Sequence, residues 1–217
     1  MNNLNSKNNT HFIFLAILSM VFISAILISD ILTYKVIAIF GMTTSMALLI
    51  YPISYAVSDI VTECYGRKVS IAILISGLTL ELLIDYMISI ASTVPNQFNH
   101  DYSVAFSIAL GPMKTVATGA VIAAFFGYLV NILIMSYFKK SNLIKAFVWR
   151  SIISTLLGEA VFLSIAYTIW FWSSDLSAGK IAQMVLVSYI FKLAFSCIYA
   201  VIGNYVVKWI KGSLTAP

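Results

Sequence analysis

The sequence predicts an all-α integral membrane protein, a single bundle of about six transmembrane helices. Of its 217 residues, 61% are hydrophobic and only 10% are charged, and the mean hydropathy is +0.97. Soluble domains carry about 25% charged residues, so lipid must solvate most of this surface. A helix needs about 20 mostly apolar residues to cross the hydrocarbon core. The chain has room for about six such spans with short loops, and we predict one polytopic domain over residues 1–217.

The spans follow from the order of apolar and polar segments. No small-residue cleavage site follows the first apolar segment, so we interpret it as a retained span and not as a signal peptide. Pro52 interrupts the second, and a polar loop at 92–103 follows the third. The stretch 104–110 is apolar but too short to cross, which is typical of an interfacial or re-entrant segment. The predicted spans are about 12–31, 43–61, 70–91, 113–137, 149–172 and 181–209.

The fourth predicted span carries small residues on one face. Gly119, Ala123 and Gly127 recur at every fourth position, which is the spacing of neighbours along one side of a helix. Small residues in this register let two helices approach closely. We therefore predict that this face packs against another helix.

The distribution of basic residues predicts the orientation, because cytoplasmic loops are enriched in Lys and Arg. With a cytoplasmic N-terminus, nine of the 13 basic residues lie inside and three lie outside, while Lys192 is within the last span. We predict that both termini are cytoplasmic and that Asn99 and Asp175 are outside. The inner set is Lys7, Arg67, Lys68, Lys139, Lys140, Lys145, Arg150, Lys208 and Lys211, and the outer set is Lys35, Lys114 and Lys180.

Missing motifs disfavour several function classes. The chain has no Walker A sequence for ATP, no His-Glu-x-x-His metal motif and no potassium-channel selectivity-filter sequence. The net charge of +5 is explained by the topology, so we predict no nucleic-acid partner. Cys64 and Cys197 lack metal-ligand spacing. We expect no catalytic residues, no metal site and no cofactor.

Ionisable side chains at membrane depth form the first part of the candidate site. Such a residue costs several kcal/mol in hydrocarbon and normally faces a cavity or a partner. Glu81, Glu159 and Lys192 each lie about ten residues from one end of their spans, near the bilayer midplane. A polar central cavity explains all three, and a structural ion pair between Lys192 and one glutamate is the alternative. Asn131 is an amide deep in the fourth span, and we expect it near them.

Two acidic residues at the end of the second span form the second part. Asp59 and Glu63 are four residues apart, on one face of a helix. The alternative is that they are solvated near the interface or cap the helix. Asp85 shares a face with Glu81, and we interpret it as reaching toward the outer surface. Tyr55 is one of several tyrosines that offer flat faces, and with the carboxylates they favour a small planar solute rich in N–H groups.

One segment resembles the signature of the queuosine precursor transporters: residues 51–66, YPISYAVSDIVTECYG. The family pattern reads as Phe-Pro, a few apolar residues, and then Asp-(Ile/Val)-(Leu/Val)-Thr-Glu-Val-Tyr-Gly. Supporting pieces occur in order along nearly the whole chain, namely Lys35 after the first span, STLLGEAV at 154–161 and YIFK at 189–192.

The resemblance implies a bacterial inner-membrane protein that takes up 7-deazapurine bases, namely preQ0, preQ1 or queuine. It also implies a six-helix fold similar to the substrate-binding subunits of energy-coupling-factor vitamin transporters. One carboxylate can accept the ring N–H and the exocyclic NH₂ of such a base, and the aminomethyl cation of preQ1 matches a second carboxylate. We predict that Glu159 is the base-binding carboxylate. It lies deep, in a segment that matches the family, beside Gly158, which leaves room for a flat ligand.

The sequence departs from the family at three positions. Members often carry Gln at the position of Tyr128 and Asp at the positions of Asn131 and Phe162. Fewer acidic residues favour a bulkier or less cationic base such as queuine, or another heterocycle. Two other functions stay open, a substrate-binding subunit that needs a separate ATPase module and an integral membrane enzyme. A homo-oligomer is also open, and the partners we predict are the lipid bilayer and a small nucleobase-like solute.

Overall fold

The computed structural model describes residues 2–33, 35–39, 42–95, 97, 100–111, 113–171 and 177–215, without the side chains of 2–8, 36, 39, 42, 43, 114–116, 171, 214 and 215. Asn99 and Asp175 lie outside the described residues. Within the described part, six helical segments are long and apolar enough to cross a membrane, which confirms the predicted all-α membrane bundle. The helices are α1 (Asn2–Thr33), α2 (Tyr51–Tyr65), α3 (Arg67–Ala91), α4 (His100–Leu110), α5 (Met113–Ser141), α6 (Phe147–Phe171) and α7 (Ala178–Thr215).

A β-hairpin connects α1 to α2 where we predicted a loop and the first residues of the second span. Strands β1 (Val36–Ile39) and β2 (Met42–Ser45) pair antiparallel, with Val36 opposite Ser45. The Ser45 hydroxyl then accepts a hydrogen bond from the Ala47 N–H at 3.1 Å and caps a 3₁₀ turn (Met46–Leu49). Pro52 lies in the first turn of α2, where its missing N–H costs no helical hydrogen bond. Pro52 therefore starts this helix instead of interrupting it.

A single glycine joins α2 to α3. Gly66 has φ 88°, in the left-handed region that favours glycine. Its N–H donates to the carbonyl oxygens of Val61 and Thr62, at 3.2 Å each. The chain therefore reverses within one residue. We call the end of the bundle that contains Gly66 the motif end, and the opposite end, which contains β1 and β2, the hairpin end.

The short apolar stretch 104–110 forms most of α4, whose side chains are all at least partly exposed. The helix begins at His100, so the polar loop before it is shorter than predicted. At its C-terminal side the Gly111 N–H donates to the Ser107 carbonyl oxygen at 2.9 Å. The Ser89 hydroxyl of α3 donates to the Gly111 carbonyl oxygen at 3.1 Å, which fixes this turn to the bundle.

Two glycines let α5 and α6 approach closely. A Cβ on Gly127 would lie 2.8 Å from the Cβ of Phe162, and a Cβ on Gly158 would lie 2.7 Å from the Gly127 carbonyl oxygen and 2.9 Å from the Cβ of Asn131. The small-residue face of α5 therefore packs against α6 as predicted. The space beside Gly158 is filled by α5. The room for a flat ligand that we expected there does not exist, so that expectation is wrong.

The outer surface of the bundle is apolar. Long hydrophobic side chains such as Phe12, Met20, Met87 and Tyr205 are more than 60% exposed. In water an apolar surface of this extent would promote aggregation, whereas lipid tails solvate it. The helices thus present hydrocarbon outward, and the buried polar groups must satisfy one another inside.

Candidate functional site

At the motif end, Glu63 joins four helices. Its carboxylate accepts from Arg150 of α6 at 2.8 Å and from Lys211 of α7 at 2.5 Å. Lys139 of α5 donates to the Glu63 backbone carbonyl oxygen at 2.5 Å. Glu63 is only 4% exposed. The interpretation that water solvates this residue is therefore wrong, because three basic side chains already surround it.

Asp59 lies one turn further into α2 and is fully buried, at 0% exposure. Its carboxylate accepts from the hydroxyls of Ser151 at 2.5 Å, Ser154 at 3.4 Å and Thr155 at 3.4 Å, all on α6. The interpretation of Asp59 as a solvated or capping residue is also wrong. A depth estimate from the end of a span misses this burial, because α6 covers that face of α2.

Asn131 belongs to the same polar network. Its amide donates to the hydroxyls of Ser154 at 3.2 Å and Thr155 at 3.3 Å, the two that also reach Asp59. The partner that a buried amide needs is therefore found on α6. We call Asp59, Glu63, Asn131 and their bonded neighbours the motif-end network; it ties α2 to α5, α6 and α7.

Glu159 and Lys192 form a buried ion pair in the middle of the bundle. The Lys192 Nζ donates to Glu159 Oε2 at 3.0 Å, and both side chains are at most one-tenth exposed. The same Nζ lies 4.1 Å from the centre of the Tyr51 ring and 4.3 Å from that of Phe162. Glu159 Oε1 is buried without a hydrogen-bond partner among the described groups. The alternative of an ion pair between Lys192 and a glutamate is thus the arrangement found.

Tyr55 packs on another tyrosine. Its ring is stacked on that of Tyr128, with centroids 4.3 Å apart and planes at 20°, and neither residue is exposed. Tyr128 also makes a short hydrogen bond to the hydroxyl of Ser54. The flat face predicted for ligand stacking at Tyr55 is therefore covered by Tyr128.

A cavity occupies the hairpin half of the bundle. It encloses about 660 Å³ of empty space, its mouth included. Of the seven residues predicted for the site, Glu81 and Lys192 line this cavity, whereas Tyr55, Asp59, Glu63, Asn131 and Glu159 do not. The lining is Asp30, Thr33, Thr44, Ser45, Ala47, Leu48, Tyr51, Glu81, Ala120, Ala124, Phe162, Leu163, Tyr167, Trp170, Ser188 and Lys192.

Two carboxylates on the wall of this cavity meet a third one that does not line it. One oxygen from each of Asp30, Glu81 and Asp85 lies within 4.8 Å of the others. Asp85 is 1% exposed, so the interpretation that it reaches toward the outer surface is wrong. Asp30 lines the cavity, although it is not among the site residues predicted from the sequence. Its only signal was an acid just inside the end of an apolar segment, and acids are common there.

A comparison with protein families gives this arrangement its context. The sequence model of the family described as putative vitamin uptake transporter matches residues 45–210, which is most of the chain. The chain belongs to this family. Comparisons with curated proteins and with solved structures found no match.

The residues matched by the vitamin uptake transporter family include most of the cavity wall. The matched segment contains α2, α3, α5 and α6, and with them Tyr51, Glu81 and Asp85; Asp30 precedes it. The chain is a multi-pass membrane protein, and the family and the helical bundle point to a nutrient transporter and not to an enzyme.

Proposed function

We propose that this protein takes up 7-deazapurine bases, namely preQ0, preQ1 or queuine, across the bacterial inner membrane. The observation that carries the proposal is the cavity of the hairpin half, which joins two carboxylates, one cation and four aromatic side chains. Small-molecule sites are mostly apolar, with a few convergent polar groups. This composition suits a flat, N–H-rich heterocycle and disfavours an anionic or aliphatic solute.

The walls offer a complementary group to each part of such a base. Tyr51, Phe162 and Trp170 provide aromatic surface for its ring faces. Glu81 Oε2 and Asp30 Oδ2 are buried without hydrogen-bond partners among the described groups, so each can accept an N–H from the base.

Lys192 supplies hydrogen-bond donors, whereas the two carboxylates supply acceptors. Its Nζ is held by Glu159 at 3.0 Å and has N–H groups left that can donate to a ring nitrogen or a carbonyl oxygen. A purine-like edge carries donors and acceptors side by side, which matches acids on one wall and a lysine on another. Glu159 then acts on the base through Lys192, and the prediction that Glu159 contacts the base directly remains to be tested.

The motif-end network supports a transport cycle with one end closed. Glu63, Asp59, Arg150 and Lys211 join α2, α6 and α7 at that end, while the cavity lies in the hairpin half. With the hairpin end outside, the solute would enter there, and release inward would require the contacts of Glu63 to separate. The bistable element is thus the packing of α2 against α6 and α7.

Uptake in a bacterium that can neither make nor import queuosine precursors tests the proposal. Expression of the chain should restore queuosine in tRNA when preQ0, preQ1 or queuine is supplied. Glu81→Gln removes the charge and turns one acceptor into a donor that faces the N–H groups of the base. A charge-assisted hydrogen bond is worth about 1.5–3 kcal/mol, so we expect uptake to weaken about tenfold to a hundredfold.

The matched control is Asp101→Asn, an acid-to-amide change at an exposed position of α4. It should leave uptake unchanged, and the amount of each variant in the membrane is measured in parallel. If no precursor restores the modification while the wild-type protein is present in the membrane, the proposed substrates are wrong. Equal uptake by Glu81→Gln and wild type would remove Glu81 from the site.

A further inference from the structure

The cluster of Asp30, Glu81 and Asp85 has no counter-charge among the described side chains. Elsewhere in the described bundle, Glu63 is paired with Arg150 and Lys211 and Glu159 with Lys192, while Asp59 accepts hydrogen bonds from three hydroxyls. The three clustered carboxylates belong to no described ion pair. Glu81 is 2% exposed and Asp85 is 1% exposed, so bulk water does not solvate these two carboxylates.

The unpartnered oxygens point to a ligand. Asp30 Oδ2, Glu81 Oε2 and Asp85 Oδ2 are all buried without hydrogen-bond partners in the described part of the chain. A buried acceptor left unmatched costs about 1–3 kcal/mol, and more when it is charged. Asp30 and Glu81 also form a side-chain hydrogen bond with each other, in which one carboxyl must be protonated to donate. A shared proton offsets part of the penalty for these two residues but leaves Asp85 unmatched, whereas a cation in place of the proton would serve all three.

An independent observation comes from a fourth side chain. Tyr51 is 7% exposed, and its hydroxyl oxygen is buried without a described hydrogen-bond partner. Tyr51 lines the same cavity as Asp30 and Glu81 but belongs to α2, whereas the acids belong to α1 and α3. Neutral oxygen ligands beside carboxylates are the usual completion of a site for a hard cation.

We propose that Asp30, Glu81 and Asp85 bind one hard metal cation of the size of Na⁺ or Ca²⁺, next to the solute cavity. An ion coordinated by oxygens at 2.3–2.6 Å can touch two atoms up to about 4.6–5.2 Å apart. The three oxygens lie within 4.8 Å of one another, so a point between them is at most about 2.8 Å from each, and small side-chain rotations bring all three within reach of one such ion. An all-oxygen set disfavours zinc and copper, which take nitrogen and sulfur ligands.

The position of this site couples it to the cavity. Asp30 and Glu81 line the cavity, whereas Asp85 lies behind them in the cluster. Each carboxylate has two oxygens, so the ion and a solute can share the same side chains. Binding of one then changes the affinity for the other by the same factor in both directions. The cation site itself does not depend on which solute the protein carries.

Equilibrium binding of radioactive ²²Na⁺ and ⁴⁵Ca²⁺ to the purified full-length protein in lipid nanodiscs tests the site without any transport assay. We expect saturable binding of one of the two ions at constant ionic strength. Asp85→Asn should weaken that binding at least tenfold, and it is the preferred variant because Asp85 is not on the cavity wall. Asp30→Asn serves as the second variant in case Asp85→Asn does not fold, and gel filtration checks that each variant is monodisperse.

Asp101→Asn is the matched control and should bind the ion like wild type. A third arm uses methylammonium, which carries the same kind of positive group as an aminomethyl-substituted solute. If neither metal ion binds the wild type, or if methylammonium alone binds, the proposal of a metal site is overturned. The same conclusion follows if the folded Asp85→Asn and Asp30→Asn variants bind the ion with wild-type affinity.

Discussion

Two buried glutamates in neighbouring regions of the bundle meet different surroundings. Glu159 is tied to Lys192 at 3.0 Å and does not line the cavity. Glu81 lines the cavity and carries an oxygen without a described hydrogen-bond partner. Removing one partner of a buried pair costs about 3–5 kcal/mol, because the other charge is left unmatched. Glu159 therefore balances the charge of Lys192, whereas Glu81 has an oxygen that can accept a hydrogen bond from a ligand.

Replacement of Glu159 by Gln should weaken base uptake at least tenfold. The amide cannot balance the charge of Lys192, whose Nζ lies over the rings of Tyr51 and Phe162 at 4.1 and 4.3 Å. Lys192 would then move from its place on the cavity wall. Uptake is measured as initial rate per amount of protein in the membrane, and Ser164→Ala on the exposed face of the same helix is the control.

A second variant separates the ion pair from direct contact with the base. The double variant Glu159→Gln/Lys192→Met removes both charges. If Glu159→Gln alone lowers the amount of protein in the membrane, the double variant should bring it back to the wild-type amount, since no unmatched charge is left. Uptake should stay low, because the donor on the cavity wall is gone. Wild-type uptake by Glu159→Gln alone, at a normal protein level, would contradict a role for the pair.

Depth in the membrane could be predicted for these residues, but their neighbours could not. Counting residues at helical rise identified Glu81, Glu159 and Lys192 as buried. Which side of each helix faces the cavity depends on how the helices pack, and the sequence pattern is weak because most positions are apolar on all sides. Asp30 was missed because it lies near the end of α1, where water can solvate an acid at little cost. Its position in the sequence therefore does not indicate that it is buried at a cavity.

At the scale of elements, the contact between α5 and α6 depends on glycine. The carbonyl oxygen of Gly127 would be 2.7 Å from a Cβ on Gly158. Backbone atoms cannot yield as a flexible side chain can, so the two helices would have to separate. The pair also supports the motif-end network, because Asn131 and Ser154 lie on these two helices.

Gly158→Ala should therefore destabilise the protein although alanine is the better helix former. Overpacking typically costs 1–3 kcal/mol, which exceeds the gain of about 1 kcal/mol from helix propensity. We expect a lower thermal unfolding midpoint in detergent and less protein in the membrane. Gly179→Ala in α7 is the control, since nothing lies within 4 Å of its added Cβ, and it should be neutral or slightly stabilising. An unchanged midpoint for Gly158→Ala would show that the helices can separate at no cost.

The six spans were predictable and the hairpin was not. A span is a long apolar segment, so length and composition suffice to find it. Strands β1 and β2 have four residues each, and a short apolar segment is compatible with a loop, a strand or the start of a helix. Pro52 was ambiguous in the same way, because proline both interrupts helices and begins them.

At the scale of the whole molecule, the two ends of the bundle differ in charge. The motif end carries Arg67 and Lys68 at the start of α3 and Lys139 and Lys140 at the end of α5, and of these only Lys139 contacts Glu63. α7 has 38 residues, about 57 Å at 1.5 Å per residue, so it extends beyond a hydrocarbon core of about 30 Å. Its last turns bring Lys208 and Lys211 to the same end.

This asymmetry predicts that the motif end is cytoplasmic and the hairpin end is outside, since Lys and Arg near span ends are retained on the cytoplasmic side. The test uses a chain with Cys64→Ser and Cys197→Ser, which carries one new cysteine at a time. Gln97→Cys lies beyond the end of α3 and Leu143→Cys lies between α5 and α6, and both positions are exposed. A membrane-impermeant maleimide should label Gln97→Cys in intact cells and Leu143→Cys only after permeabilisation. The reverse pattern would invert the topology and place the mouth of the cavity on the cytoplasmic side, whereas labelling of both in intact cells would mean that the chain inserts in two orientations.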